Sequence, residues 1–144
     1  MPYQHEASLG RLTQLASKSI GHRLDDLFAE AQLPYTAEHW TVLSYLHRYS
    51  ESSQKQIAFF MGKDKVTLKR LLDKMEAAVL LSRTTSLRDR RYNVIALTTK
   101  GEKVFEQLAP YAEQVLNEAT RNLPESEIEA CKETLETIIA NLTR

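Results

Sequence analysis

The 144 residues carry 19 Lys or Arg against 19 Asp or Glu, a formal net charge of zero, and are 42% hydrophobic and 26% charged. This is enough chain for one hydrophobic core without disulfides or metals, and the composition excludes disordered and collagen-like classes. No run approaches the roughly eighteen apolar residues of a membrane span, and the opening MPYQHEASLG lacks a basic, apolar leader, so no membrane partner, no secretory signal and a cytoplasmic location are expected. The lone Cys131 agrees with a reducing compartment.

From about Ala7 to Gln32, Leu9, Leu12, Ala16, Ile20, Leu24, Leu27, Phe28 and Ala31 recur at steps of three and four, the period of a long amphipathic helix, which Pro34 closes. Thr36 reads as the N-cap of a second helix reaching about Ser50, with Trp40, Leu43, Leu46 and Tyr49 on its inner side. Ser53 followed by Gln56 is a capping box, and Gly62 stops the short helix that it opens. Asp64 caps the next helix, whose Leu68, Leu71, Leu72, Met75 and Val79 form one apolar stripe while Lys65, Lys69 and Arg70 fall outside it.

After Leu81 the period changes from helical to alternating. SRTTS and YNVIAL flank LRDRR, which predicts a two-stranded hairpin with arginines at its tip. Thr99 with Glu102 reads as a capping box for a long helix through Phe105, Leu108, Ala112, Val115 and Ala119, kinked at Pro110. Pro124 at a first helical position, with Glu125 and Glu127 beside it, opens the last helix. Its Ile128, Cys131, Leu135, Ile138 and Leu142 follow in 3-4-3-4 steps, the spacing of a seam that needs a partner. The expected order is α-α-α-α-β-β-α-α, a mainly α protein with a small β-hairpin.

Zero net charge conceals segregation. Gly62 to Arg91 holds nine bases and four acids, Glu102 to Arg144 four bases and nine acids. A basic middle on an acidic scaffold suits a polyanion, because local fields steer partners whatever the total charge. Two helices about a glycine turn, followed at once by an arginine-tipped hairpin, suit a duplex: a helix fits the major groove and arginine the narrow minor groove. Asp89, between Arg88 and Arg90, can orient a guanidinium through a paired hydrogen bond.

The pieces QIAFFMGKDKVTLKRLLDKME and LLSRTTSLRDRRYNVIALTTKG resemble the winged helix-turn-helix of the MarR family of bacterial transcription regulators, with Asp89-Arg90-Arg91 as its wing motif and Leu97-Thr98-Thr99-Lys100-Gly101 as its entry to the next helix. The resemblance implies one continuous domain in three parts: an N-terminal dimerisation helix (1–35), a winged core (36–101) and C-terminal dimerisation helices (102–144). It also implies an intertwined homodimer on an inverted-repeat operator, acting as a repressor released by a small aromatic or anionic effector. By matching position Lys65, Thr67, Lys69 and Arg70 would face bases or phosphates, and Lys63 would hold a phosphate. Arg91, with Arg88 or Arg90, would enter the minor groove. Ser19, His22, His39 and Trp40 would line an effector crevice, and Ile128, Cys131, Leu135, Ile138 and Leu142 the dimer interface, with Cys131 as a small apolar filler.

The chain departs from the family at three places. Val79 stands where a glycine is common, so the recognition helix is expected to end without a left-handed residue. Phe59 and Phe60 are adjacent on a short helix and cannot both point inward. Val66 and Lys69 replace small hydroxyl residues, so the operator cannot be read from relatives. The four histidines lack metal-binding spacing, and neither a metal nor another cofactor is expected. No nucleophile, base and orienter set suggests an enzyme. The competing reading is a winged-helix protein-interaction adaptor.

Overall fold

A computed structural model describes every residue except Met1, Tyr3, Glu6, Ala7, Ser86, Leu87, 90–92 and Arg144. Six helices and one hairpin follow in the order α1 (Leu9–Glu30), α2 (Ala37–Arg48), α3 (Gln54–Met61), α4 (Lys65–Ala77), β1 (Leu81–Thr85), β2 (Asn93–Leu97), α5 (Thr99–Ala119) and α6 (Glu125–Leu142). The element order agrees with the sequence reading.

Local signals set most boundaries. The Ser8 hydroxyl accepts the Arg11 N–H to start α1, and Thr36 and Ser53 open α2 and α3 with complete capping boxes. At the end of α3, Gly62 adopts φ 63°, and the Lys63 N–H bonds the Ala58 carbonyl at 3.2 Å, the six-to-one closure of a left-handed helix stop. The Asp64 carboxylate accepts the Thr67 N–H at 2.8 Å and starts α4. Three residues therefore separate the two helices of the helix-turn-helix.

The core is assembled by α1 and α2 packing on α5, and by α2, α3 and α4 closing on the hairpin. Phe28, Val42, Leu43, Leu46, Ile57, Leu68, Leu72, Met75, Ile95 and Leu108 are fully buried in it. Strands β1 and β2 pair antiparallel from Leu81 opposite Leu97 to Thr85 opposite Asn93. Buried Ser52 adds a single bridge to Ile95, with bonds of 3.0 and 2.7 Å, so the hairpin is fastened to the α2–α3 connection.

Several expectations are corrected. The inner side of α2 includes Val42, whereas Tyr49 is its exposed C-cap. The N-cap of α5 is Thr98, not Thr99: the Thr98 hydroxyl accepts the Gly101 N–H at 3.0 Å. Pro124 is the N-cap of α6 instead of its first helical residue. Val79 is not on the buried stripe of α4; it is 57% exposed and, against expectation, takes the left-handed conformation at φ 62°.

Candidate nucleic-acid interface

With α4 fixed by Leu68, Leu72 and Met75 in the core, steps of about 100° per residue aim Val66 and Arg70 away from the protein, with Asp73 at the edge of that face beside β1. Thr67 and Lys69 flank that outward stripe, Lys65 stands at the first position of the helix nearer the core side, and all six side chains are exposed. The N-terminal end of α4, the positive pole of its dipole, is also the end that carries Lys65.

Ion pairs sort the bases predicted from sequence. The Lys63 Nζ meets Glu38 of α2 at 2.9 Å, tying the turn to the scaffold. The Lys69 Nζ reaches Asp73 at 2.9 Å, one helical turn on, and the Arg83 Nη1 from β1 meets the same carboxylate at 2.7 Å. This pair of cations holds the Asp73 carboxyl below its ordinary value, the Arg83 bond being the larger cause. Lys65 and Arg70 have no ion-pair partner among the described residues. Thr67 is less available than its position suggests, because its hydroxyl donates to Asp64 at 2.9 Å. Those bonds from the Thr67 N–H and hydroxyl keep the Asp64 carboxyl ionised below its usual range.

Arg83 links α4 to the base of the wing. Its side chain is 18% exposed and lies 3.8 Å from Glu76 as well as against Asp73, while Nε and Nη2 are buried without a hydrogen-bond partner. Sequence reasoning missed this residue because it counted Arg83 only toward bulk charge; its alternation in β1 placed it facing α4. At the tip, Arg88 is exposed and Asp89 partly buried. Arg90 and Arg91 lie outside the described residues.

The exit of α4 is fastened to the start of α5. The Leu80 N–H bonds the Met75 carbonyl and the Val79 N–H that of Glu76, each at 2.9 Å, completing a helix stop that normally uses glycine. The Thr98 hydroxyl donates to the Val79 carbonyl, the Lys100 ammonium to the Ala78 carbonyl at 2.8 Å, and the Thr98 N–H to the Leu80 carbonyl at 3.1 Å. Any side chain at Gly101 would collide with the Leu80 carbonyl. Residues 97–101 therefore form a clamp on the helix end.

The four residues expected to line one crevice have different surroundings. His22 borders a groove of about 720 Å³ between α1 and α2 together with Asp25, Thr36, Thr41 and Lys63. Ser19 lines a separate depression beside Arg23, Val115 and Glu118. His39 belongs to the α2 cap, its Nδ1 accepting the Thr36 N–H at 3.2 Å. Trp40 stacks on Phe105 at 5.1 Å, and His47 stacks on the same ring at 3.9 Å while meeting Glu102 at 2.8 Å. Both Phe59 and Phe60 are exposed, at 72% and 53%, and Phe60 contacts Tyr45 at 4.6 Å.

On α6 no residue is buried within the chain. Cys131, Leu135 and Leu142 are exposed, and Ile128 and Ile138 only partly covered. Leu9, Leu12 and Ile20 of α1 are likewise exposed. Among the described residues no helix is long and apolar enough to cross a membrane, and no group of three metal-ligating side chains occurs.

Comparison with known proteins places this geometry. A model of the MarR family matches residues 32–91. A MarR-family transcriptional regulator from Silicibacter pomeroyi superposes with a TM-score of 0.84 at 24% identity, covering 96% of this chain and 92% of that one. BpsR from Bordetella bronchiseptica, whose DNA binding is regulated by 6-hydroxynicotinic acid, gives 0.80 at 22% identity, covering 96% and 97%. A cysteine-to-serine variant of MarR from E. coli, complexed with operator DNA, gives 0.77 at 22% identity, covering 90% and 92%. The chain thus matches the MarR family over residues 32–91 and shares the fold of MarR-family regulators over nine-tenths of its length.

Proposed function

We propose that this protein is a homodimeric transcription regulator that binds an inverted repeat in double-stranded DNA and represses by occupying a promoter. The observation that carries the reading is the exposed surface of α4, where Arg70 on the outward face and Lys65 at the helix start have no ion-pair partner among the described residues. Helix and wing would grip adjacent major and minor grooves, with Arg88, Asp89, Arg90 and Arg91 at the wing, and Lys63, Lys69 and Thr67 beside the helix. That MarR from E. coli, a protein of the same fold, forms a complex with operator DNA supports DNA as the partner. The terminal helices would form the dimer interface through Ile128, Cys131, Leu135, Ile138 and Leu142, leaving 36–101 as the reading core between two dimerisation parts.

Release by an effector fits the groove bordered by His22, Lys18 and Phe60, where a lysine and an aromatic ring suit a small aromatic or other anion. Regulation of BpsR by 6-hydroxynicotinic acid is a precedent in a chain of the same fold. The adaptor reading keeps one supporting observation, the exposed Phe59 and Phe60 beside Tyr45 and Tyr49.

Selection from a pool of randomised duplex DNA tests the proposal. Enrichment of an inverted repeat with half-sites about one helical turn apart is expected. On the enriched duplex, Lys65→Ala should flatten the log–log salt dependence of affinity by about one unit for each protomer's lost phosphate contact. Retention of no DNA would put the adaptor first.

A further inference from the structure

We infer that Val66 is a specificity-determining residue that reads the 5-methyl group of a thymine in the operator's major groove; the inference rests on the DNA-binding reading above. Val66 is the second residue of α4, at the end of a reading helix that meets base edges. It is 64% exposed and lies opposite the Leu68, Leu72 and Met75 stripe. A β-branched side chain gains nothing there from helix propensity, which favours unbranched residues on exposed helix surfaces.

The surrounding polar groups are engaged in ways that leave Val66 at the centre of the face. Asp64 and Thr67 satisfy each other at the cap, with bonds of 2.8 and 2.9 Å. Lys69 is held to one side by Asp73 at 2.9 Å. Arg70, one turn along the same face, stands ready for a phosphate or a guanine edge, so it positions the helix while Val66 presents two methyl groups to the groove floor. Only one base pair offers an apolar group there: the thymine methyl, which Ala, Thr methyl or Phe side chains contact in other complexes. Val66 has the same chemistry and no donor or acceptor with which to read any other edge.

The test uses full-length protein and the duplex enriched above. Each thymine is replaced in turn by deoxyuridine, which keeps Watson–Crick pairing and removes only the methyl. One thymine per half-site is expected at which the replacement weakens binding about fourfold, the effect of exposing one methyl-sized apolar group. Val66→Ser, which presents a hydroxyl in place of both methyl groups, should bind thymine and uracil equally at that position, while its thermal melt remains unchanged because the side chain is exposed. Tight binding with indifference to uracil everywhere, or a variant that retains the discrimination, would overturn the inference and leave the DNA-binding reading intact. Enrichment of no sequence would overturn both.

Discussion

His39 occupies the third position of α2, where a capping box ordinarily carries Glu or Gln. Its neutral Nδ1 accepts the Thr36 N–H, so protonation removes the bond and places a cation at the positive end of the helix. Partial burial, with the Lys74 ammonium as a lesser cause, holds its pKa below the ordinary histidine value, and Glu38 only partly opposes this. A histidine whose pKa is lowered by folding stabilises the native state fully above its unfolded value, about 6.5. That contribution is lost as pH falls toward the folded value, because the unfolded chain then binds more protons. His39→Gln keeps an acceptor that does not titrate. Denaturant titrations from pH 7.5 to 5 should therefore show wild type losing about 1 kcal/mol more than the variant, all of it below pH 6.5. Equal pH dependence in the two proteins would show that the cap does not respond to the imidazole.

At the level of elements, the junction of α4 and α5 holds the least expected feature, a valine in the left-handed region. An L residue there costs about 1–2 kcal/mol, and a β-branched one is a clear outlier. The conformation persists because Thr98 and Lys100 bind the carbonyls of Val79 and Ala78, and Leu80 is pinned by the Thr98 N–H. Val79→Gly should raise stability by about 0.5–1 kcal/mol, since relief of strain exceeds the extra freedom that glycine gives the unfolded chain. The check is a higher denaturation midpoint with an unchanged slope. Much of this architecture was legible: Ser53, Gly62 and Asp64 are side chains and a glycine whose capping chemistry acts within four residues, so the helix-turn-helix could be placed from sequence. Thr98 could not be told from Thr99, because both precede a helical pattern and only the contact with Leu80 and Val79 chooses between them. For the same reason periodicity put Val79 on the apolar stripe and missed Val42. In the site, exposed Lys65 and Arg70 followed from the helical period, whereas the Lys69–Asp73–Arg83 arrangement required the fold to bring β1 beside α4.

For the whole molecule, the question is what covers α6. An isolated helix of 18 residues is marginal in water, and most helical stability in proteins comes from packing of an apolar face. Yet nothing on α6 is buried within the chain, and the face opposite the seam carries Glu129, Glu133 and Glu136, suited to solvent. The dimer proposed above supplies the missing cover, with Leu135 at the middle of the seam and exposed Leu9, Leu12 and Ile20 of α1 available to the partner. Arg23 of α1 holds Glu118 of α5 at 2.8 and 3.1 Å, and this pairing lowers that carboxyl to about 2, so α1 and α5 are joined through a side-chain pair as well as through packing. Leu135→Asp should therefore abolish the dimer without unfolding the winged core. Sedimentation is expected to give the monomer mass, and far-UV circular dichroism should lose helix on the scale of α6 alone. On DNA, joining two reading cores raises affinity by making the second contact intramolecular, commonly by a factor of 10²–10⁴. The variant should lose affinity of that order for the full inverted repeat while binding an isolated half-site as wild type does. A Leu135→Asp protein that remained dimeric and bound the full repeat normally would place the interface elsewhere than α6.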